Sequence, residues 1–397
     1  GGSYFPTWHT SPLAEVDIAR FAAETMGMIL EKREIPLSSL DYLITGSTIP
    51  WLYKFWGSPY LSHLMGHRLP GFHLEQACAT GLQTIIKAFA QVESGSHKAV
   101  GVLTFDKTSN SPASVFPNQA TYRRTEVLSD VWDNFGYDPS LGSSGFNSLK
   151  GETSMLACAG RAARKYRLDW HEVSELAYYR YFQYYQAVQD GFHNDYLFPV
   201  KVLDMRGNIM GEISQDNGIR RYESAEDIRR ERQLDTCVSA GTQTHASDGM
   251  FTLVVCDRDQ LPQYTTHPEI TIQLIGCEEY RTLAGLMPEA PVIAVGRLLQ
   301  RLTISLDQIT TIYDHNPFAV NDTIFAHQLG WDWHNMNDTG CPLVYGHPQG
   351  PTLMRVTVEA LERVVQKGGG YALIFGCAAG DVGIAALFSV TETGKGG

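Results

Sequence analysis

Residues 35–44 of this chain read IPLSSLDYLI, and residues 304–313 repeat the pattern as ISLDQITTIY. Each segment follows a helix-like run and leads through a short apolar strand into a turn. A pattern that returns near both ends of one chain is typical of an internal duplication. The sequence therefore predicts two related halves.

The stretches after these two segments also repeat each other. Each half continues with a glycine-rich loop and a long amphipathic helix, predicted at about 81–94 and about 351–367. Each helix then leads to a short apolar strand typical of a buried sheet, at 99–104 and at 372–375. Alternating helices and apolar strands predict sheets covered by helices. The fold class is therefore α/β, with a functional site expected between the two halves.

The part of the chain between the halves has a different character. It is rich in glycine, serine, asparagine and aromatic residues at 132–146 and is predicted to be helical at 154–166 and 170–189. The second helix reads YYRYFQYY at 178–185, and we expect its tyrosines to pack against the body and a neighbouring subunit rather than a ligand. No tyrosine of this helix is therefore assigned to the site.

The composition limits the classes of function. A chain of 397 residues with 43% hydrophobic and 19% charged residues is long enough for two or three packed units. The net charge is −12, and the chain has no basic run interleaved with aromatic residues, which argues against nucleic acid as a partner. No apolar stretch approaches the roughly 20 residues needed to cross a bilayer, and residues 1–12 lack the regions of a signal peptide. We therefore expect a cytoplasmic protein without membrane contact.

The cysteine pattern limits the chemistry further. Seven cysteines are scattered along the chain, and none of them forms a Cys-x-x-Cys pair. An odd number without such a pair argues against both a disulfide framework and a zinc site. We therefore expect no metal and no resident cofactor.

One cysteine stands out by its position, Cys78 in the run EQACATGLQ at residues 75–83. The apolar residues that follow it have helical spacing: Leu82, Ile85, Ile86, Phe89 and Val92. The thiol is therefore predicted to lie at the N-terminus of a helix, near unpaired backbone N–H groups and the positive end of the helix dipole. Such an environment, with a nearby histidine, lowers a thiol pKa from roughly 8.5 and makes the sulfur a nucleophile near neutral pH. The alternative is a buried structural cysteine.

Three blocks of the chain resemble the loops of one enzyme family, the thiolases. Residues 78–81 read CATG and resemble its nucleophile loop, residues 346–350 read GHPQG and resemble its histidine loop, and residues 376–383 read GCAAGDVG and resemble its C-terminal cysteine loop. The blocks stand in the family's order with supporting stretches between them, so the chain is identified as a member of the thiolase superfamily over nearly its whole length. The resemblance implies the thiolase fold, in which duplicated α/β halves form five layers, αβαβα, with an inserted loop domain.

The resemblance also implies domain boundaries. Residues 1–118 and 236–262 would form the N-terminal half, and residues 263–397 the C-terminal half. Residues 119–235 would form the loop domain that covers the acyl-CoA.

The family's catalytic roles can be carried over residue by residue. The resemblance implies that Cys78 takes the acyl group, that His347 holds its sulfur as a thiolate, and that Cys377 moves protons at the substrate α-carbon and on incoming CoA. Backbone N–H groups of Cys78 and Ala379 would bind the oxyanion of the acyl-enzyme. In Ala379 an alanine replaces the family's glycine, which keeps the N–H group.

Two segments depart further from the common thiolase pattern. Residues 315–318 read HNPF in place of the Asn-Glu-Ala-Phe of many thiolases and are closer to the His-Asp-Cys-Phe of sterol-carrier-type thiolases, so His315 would orient the oxyanion-hole water. The segment that lines the pantetheine path, usually Asn-Ala-Ser-Gly, reads TQTH at residues 242–245. Thr244 would stand in for the serine and His245 replaces the glycine, and both are predicted to bind CoA.

These roles imply an acyl-CoA C-acyltransferase. It would cleave a 3-oxoacyl-CoA with CoA to acetyl-CoA, or another short acyl-CoA, and a shortened acyl-CoA, in β-oxidation-type degradation. The expected partners are CoA and acyl-CoA thioesters, and the expected assembly is a homodimer or homotetramer, with an accessory subunit left open. The altered pocket residues favour a bulky or aromatic acyl group. Two alternatives remain: a biosynthetic acetyl-CoA acetyltransferase or decarboxylating ketosynthase-like condensing enzyme, and a thiolase-fold scaffold subunit of a multiprotein complex.

Overall fold

A computed structural model of the chain describes residues 4–5, 13–109, 111–112, 114–117, 125–128, 154–204 and 206–392. The aromatic-rich segment at 132–146 lies outside these ranges, so its predicted contribution to the pocket stays a prediction.

The helices and strands of the described residues follow the predicted alternation. The helices are α1 (Ile18–Lys32), α2 (Gly57–Leu64), α3 (Thr80–Glu93), α4 (Met155–Tyr166), α5 (Trp170–Gln189), α6 (Ala225–Arg229), α7 (Leu261–Tyr264), α8 (Ala290–Leu302), α9 (Ala319–Leu329), α10 (Pro342–Tyr345) and α11 (Thr352–Gln366). The strands are β1 (Tyr4–Phe5), β2 (Tyr42–Gly46), β3 (Gly71–Leu74), β4 (Ala99–Asp106), β5 (Ser114–Pro117), β6 (Thr125–Leu128), β7 (Val200–Leu203), β8 (Ile209–Ile213), β9 (Asp248–Cys256), β10 (Ile270–Arg281), β11 (Ile309–His315), β12 (Gly370–Ala378) and β13 (Val382–Glu392). The two predicted amphipathic helices are α3 and α11, and the two predicted buried strands are β4 and β12.

Two sheets form the body of the protein. The first has the order β1-β9-β4-β2-β3, with β2 parallel to both β3 and β4 and with β9 antiparallel to β4. The second has the order β10-β13-β12-β11, with β11 parallel to β12 and β13 antiparallel to its two neighbours. The pairing shows the duplication. Ile44, the last residue of the first repeated segment, lies in β2 opposite Val102 of β4, and Tyr313, the last residue of the second, lies in β11 opposite Ile374 of β12. The domain boundaries themselves stay a prediction.

The layers follow from which helices contact which sheet. Helices α3 and α11 pack against each other between the sheets, α3 on β2, β4 and β9 and α11 on β11 and β12. Helices α1 and α2 contact β4, β2 and β3 of the first sheet, and α8 contacts β10 and β13 of the second. This order of helix, sheet, helix, sheet and helix confirms the predicted α/β fold with duplicated halves.

The two central helices approach each other closely at Gly81. A Cβ atom at this position would lie 2.6 Å from the Met354 nitrogen and 2.7 Å from the Gly350 oxygen, which no side chain can accommodate. Apolar residues of α3 and α11 fill the rest of the contact, among them Leu82, Ile85 and Leu353, which are fully buried. The beginnings of the two helices therefore lie side by side.

A buried cluster of charges connects α11 to the part of the chain between the halves. Arg355 donates two 2.7 Å hydrogen bonds to the Asp216 carboxylate and one of 2.8 Å to Glu359. Its guanidinium carbon also lies 3.6 Å from the centre of the Tyr345 ring. All three charged side chains of the cluster are excluded from solvent. Removing one member would leave the others charged and unpaired in the interior.

No helix among the described residues is long and apolar enough to cross a membrane. The cytoplasmic location stays a prediction.

We expect Arg355→Met to destabilise the protein strongly. The change leaves Asp216 and Glu359 buried without their cation, and breaking a buried pair in this way typically costs roughly 3 to 5 kcal/mol. The matched control is Arg363→Met on the same helix, whose bond to Asp338 is partly exposed to solvent and is expected to contribute less than about 1 kcal/mol. The measurement is the urea midpoint of unfolding. Equal shifts of this midpoint for the two variants would contradict the proposed contribution of the Arg355 cluster to stability.

Candidate active site

Cys78 lies in a tight turn between β3 and α3. The Gln76 N–H donates to Thr80 Oγ1 over 2.8 Å, and the same hydroxyl donates to the Ala77 carbonyl over 2.7 Å. Ala77 has a φ of 43°, in the left-handed region that a residue with a side chain rarely adopts. The Thr80 side chain therefore holds the turn closed and presents Cys78 one residue before the helix cap, as the sequence predicted.

His347 is the nearest basic side chain to this thiol. Its Nε2 atom lies 3.1 Å from Cys78 Sγ, and its Nδ1 atom lies 2.7 Å from Thr352 Oγ1. Burial lowers the pKa of His347 to about 3, so the imidazole is neutral. In the tautomer that carries its proton on Nδ1, directed to Thr352 Oγ1, the ring offers a lone pair on Nε2 to the thiol.

The pKa of Cys78 corrects one expectation from the sequence. Burial raises it to about 12, although the backbone N–H groups of Ala379 and of Cys78 itself act in the opposite direction. This shift opposes the expected thiolate, because enclosure by the other loops acts against the helix N-terminus, and the protonation state of Cys78 stays a prediction. The same two N–H groups are those predicted to bind the oxyanion, and they converge at the sulfur.

The second predicted cysteine, Cys377, lies near the end of β12. It is buried and faces the same cavity as Cys78, and Asn321 Nδ2 donates to its sulfur over 3.5 Å. Burial and the neighbouring Cys78 raise its pKa well above the usual range, so the group is a protonated thiol. A thiol in this position suits a proton donor, but its catalytic role stays a prediction.

His315 ends β11 and lies behind His347. It is fully buried, and its ring centre is 4.2 Å from that of His347. Neither ring nitrogen has a hydrogen-bond partner among the described residues. Burial and the nearby His347 keep its pKa well below the ordinary value, so this imidazole is neutral as well. The proposed water-orienting role of His315 is not tested by this arrangement.

A cavity of about 380 Å³ opens over the two cysteines. Its described lining has no lysine, arginine, aspartate or glutamate and consists of Ala77, Cys78, Ser154, Met155, Leu156, Gln243, Thr244, His245, Ala246, Met287, Pro317, Phe318, His347, Gln349, Cys377 and Ala379. No tyrosine of α5 belongs to this described lining, in agreement with their omission from the predicted site. The volume is in the range of pockets that hold small molecules.

The two predicted CoA-binding residues both face the cavity. The Thr244 hydroxyl donates to the Pro342 carbonyl over 2.5 Å, so it is engaged by the backbone. The His245 carbonyl accepts a 2.9 Å bond from the His347 N–H, and its ring Nε2 is buried without a described partner. The His245 backbone therefore holds the histidine loop, residues 346–350, in place. CoA binding by either residue stays a prediction.

Sequence reasoning missed four side chains that shape the site. Cys78 Sγ donates to Gln349 Oε1 over 3.4 Å, and Thr352 and Asn321 hold His347 and Cys377 as described above. Asp106 accepts bonds of 2.8 Å from the Gly350 N–H and 2.9 Å from the Thr48 N–H. Gln349 and Thr352 lie within five residues of His347, so the loop itself was a usable signal. Asp106 and Asn321 lie outside the three segments that resemble thiolase loops, and nothing in the sequence pointed to either residue.

We expect alkylation of Cys78 by iodoacetamide to accelerate about tenfold for each pH unit between 7 and 9, because the raised pKa keeps the thiolate a minor species throughout this range. Peptide mass spectrometry at fixed times gives the rate, with free cysteine, of pKa roughly 8.5, as the reference thiol. A rate that levels off below pH 8 would show that the resting site holds a thiolate and an imidazolium.

Comparison with known proteins places the chain among thiolases. The family model described as the thiolase N-terminal domain matches residues 7–259, and the thiolase C-terminal domain matches residues 271–390. A probable acetyl-CoA acetyltransferase of Mycobacterium leprae is 22% identical over 94% of both chains. A beta-ketoadipyl-CoA thiolase of Pseudomonas putida is 23% identical over 80% of this chain and 78% of that protein. The crystal structure of human mitochondrial 3-ketoacyl-CoA thiolase in complex with CoA has a TM-score of 0.83 at 19% identity and covers 98% of this chain and 96% of that one.

Proposed function

Because the chain belongs to the thiolase family, whose members are acyltransferases, we propose that it cleaves a 3-oxoacyl-CoA with CoA through an acyl-Cys78 intermediate. The observation that carries the proposal is the meeting of Cys78, His347 and Cys377, from three distant segments, at one cavity. CoA as the second substrate is supported by the structural likeness to a thiolase solved with CoA. We place the reaction in β-oxidation-type degradation and expect a cytoplasmic homo-oligomer, on the family resemblance.

The first half-reaction begins with the thiol proton. As Cys78 Sγ attacks the 3-keto carbon, His347 Nε2, 3.1 Å away, takes the proton. The carbonyl becomes an oxyanion that the Cys78 and Ala379 N–H groups can bind. When this intermediate collapses, the bond between C2 and C3 breaks, and its electron pair passes to the acetyl-CoA enolate. Cys377 then protonates C2, which releases acetyl-CoA and leaves Cys377 as a thiolate.

The second half-reaction returns every group to its starting state. The Cys377 thiolate takes the proton of incoming CoA, and the CoA sulfur attacks the acyl carbonyl on Cys78. The same two N–H groups can bind the second oxyanion. Cys78 leaves as a thiolate and recovers its proton from the His347 imidazolium. The products are the shortened acyl-CoA and the neutral site.

The ketosynthase alternative differs at Cys377. Decarboxylating ketosynthases that resemble thiolases have histidine or asparagine in this role, whereas this chain has a buried thiol that faces the cavity. A scaffold subunit does not require a nucleophile, a base and a second thiol at one cavity. The arrangement therefore favours an active thiolase over both, while the physiological direction, thiolysis or condensation, is left to experiment.

We expect incubation with an acyl-CoA to add one acyl group, on Cys78, and Cys377→Ala to keep this adduct while turnover falls by a factor on the order of 10³ or more, because only the proton carrier is lost. Intact mass and peptide mapping locate the adduct, and thiolysis of a 3-oxoacyl-CoA gives the turnover. The control is Cys256→Ala, at the far end of β9, which should leave both unchanged. An adduct on Cys377, or normal turnover without it, would overturn the assignment of roles.

We also propose that the acyl group is bulky and uncharged. The described lining is mainly apolar and has no side chain of fixed charge, and burial lowers the pKa of His245 to about 4, so this residue is neutral as well. Burial of apolar surface contributes roughly 25 cal/mol per Å², so about 110 Å² more of it gives a hundredfold preference. Among the described lining residues, a carboxylate on the acyl chain would find no cation to offset its lost hydration.

The expected order of kcat/KM is a phenyl-bearing or long-chain 3-oxoacyl-CoA first, at about a hundredfold over acetoacetyl-CoA. Beta-ketoadipyl-CoA is expected to be poorer than an uncharged substrate of the same length, which serves as its control. Steady-state kinetics with the four substrates decide this. A preference for acetoacetyl-CoA would refute the bulky acyl group, and a preference for beta-ketoadipyl-CoA would refute the uncharged one, in both cases without touching the thiolase assignment.

A further inference from the structure

Three metal-binding side chains meet at the base of the cavity. Cys78 Sγ and one ring nitrogen each of His315 and His347 all lie within 4.8 Å of one another. One sulfur and two imidazoles are a donor set that Zn²⁺ prefers, with a Zn–S bond of about 2.3 Å and Zn–N bonds of about 2.0 to 2.1 Å. In a tetrahedral site such bonds separate the ligand atoms by about 3.3 to 3.6 Å. The observed separations, at most 4.8 Å, therefore exceed zinc geometry by no more than about 1.2 to 1.5 Å, which side-chain rotation can close.

His315 supplies the second, independent observation. It has no solvent exposure, and neither of its ring nitrogens is hydrogen-bonded to a described residue. A buried polar group without a partner is costly, and a metal ligand bond would satisfy it. The wide separation of these ligands in sequence also explains why the cysteine spacing gave no sign of them.

His347 is already oriented as a zinc-binding histidine is. Its Nδ1 atom is held by the Thr352 hydroxyl at 2.7 Å, which leaves Nε2 directed at Cys78. Metal-ligating histidines usually make such a bond with the second ring nitrogen, and that bond fixes the ring. The ring would therefore bind a cation without reorientation.

The cavity leaves the fourth coordination position open. Cys78 and His347 line the cavity, so a water molecule or a small ligand can reach an ion held between them. Within the described ranges no further histidine, cysteine or carboxylate joins the group, and Cys377, although it faces the cavity, is not part of it. Three protein ligands and one open position differ from a closed structural zinc site.

We propose that Zn²⁺ binds to Cys78, His315 and His347 and reversibly inhibits the protein. On binding, the Cys78 thiol loses its proton to solvent and its sulfur forms a bond to the metal. The sulfur is then no longer free to attack a carbonyl, so Zn²⁺ and the acyl group compete for Cys78. This proposal runs against the expectation of no metal site that was drawn from the cysteine spacing, and the proposed ion is an inhibitor that blocks the site, not a group that the reaction requires.

The first test measures the site directly, with no need for activity. Reduced, chelator-treated protein is dialysed against Zn²⁺ to count equivalents and is titrated with Co²⁺, whose thiolate charge-transfer and d–d absorption report sulfur ligation and four-coordinate geometry. We expect one equivalent, loss of the thiolate band in Cys78→Ser, and an affinity weaker by roughly a hundredfold in His315→Asn. The controls are Cys377→Ser, in the same cavity, and His63→Asn, on the surface, and both should keep the band and the affinity.

The second test separates this inference from the proposed enzyme activity, by following acyl-Cys78 formation from an acyl-CoA by intact mass with and without Zn²⁺. Zinc should block the adduct and EDTA should restore it. An adduct that forms equally in both conditions, a band that persists in Cys78→Ser, or an unchanged affinity in His315→Asn would each overturn the zinc site. A protein that binds Co²⁺ as expected but never accepts an acyl group would retain the zinc site and refute the proposed function.

Discussion

The close packing of α3 on α11 is the constraint on which the site depends. The turn that carries Cys78 ends where α3 begins, and the histidine loop ends where α11 begins. Because Gly81 lets the α11 backbone approach to a distance that any Cβ would prevent, these two helix starts meet, and Cys78 lies 3.1 Å from His347. A side chain at Gly81 would force α3 and α11 apart and so separate Cys78 from His347. The contact between the two duplicated halves thus brings Cys78 and His347 together.

Buried carboxylates hold the loops to this contact. Asp106, at the end of β4, accepts N–H bonds from both the histidine loop at Gly350 and the segment at Thr48. Burial raises its pKa to about 7, while these backbone donors act in the opposite direction. The charged carboxylate is therefore costly in the interior, and its hydrogen bonds to the two segments offset that cost. Asp216 also holds this end of α11, because it accepts two hydrogen bonds from Arg355 in the first turn of the helix. Both carboxylates act on the position of α11, and neither touches the reacting atoms.

The two groups at the centre of the site therefore favour their uncharged forms in the free protein. Burial pushes the thiol of Cys78 towards its protonated form and the imidazole of His347 towards its neutral form. In the proposed reaction, charge appears only when a carbonyl carbon is present to accept the sulfur, and the N–H groups of Cys78 and Ala379, which converge at the sulfur, would bind that charge. Such preorganised donors stabilise developing charge better in a low-dielectric cavity than in water, since they need no reorganisation. The absence of a resting ion pair would also protect the thiol from unspecific electrophiles.

How much of the structure could be predicted from the sequence depends on how far apart in the chain the interacting residues lie. Helix α3 and strand β4 were predicted from local periodicity alone. Their observed bounds agree with the prediction to within about two residues. The loop motifs located Cys78, His347 and Cys377 because the family's chemistry requires those residue types there. Asp106 and Asn321 could not be found in this way, since their bonds join segments more than 50 residues apart. The pKa of Cys78 has the same limit: the helix N-terminus that lowers it is local, whereas the enclosure that raises it comes from loops of the other half of the chain and could not be predicted from the sequence.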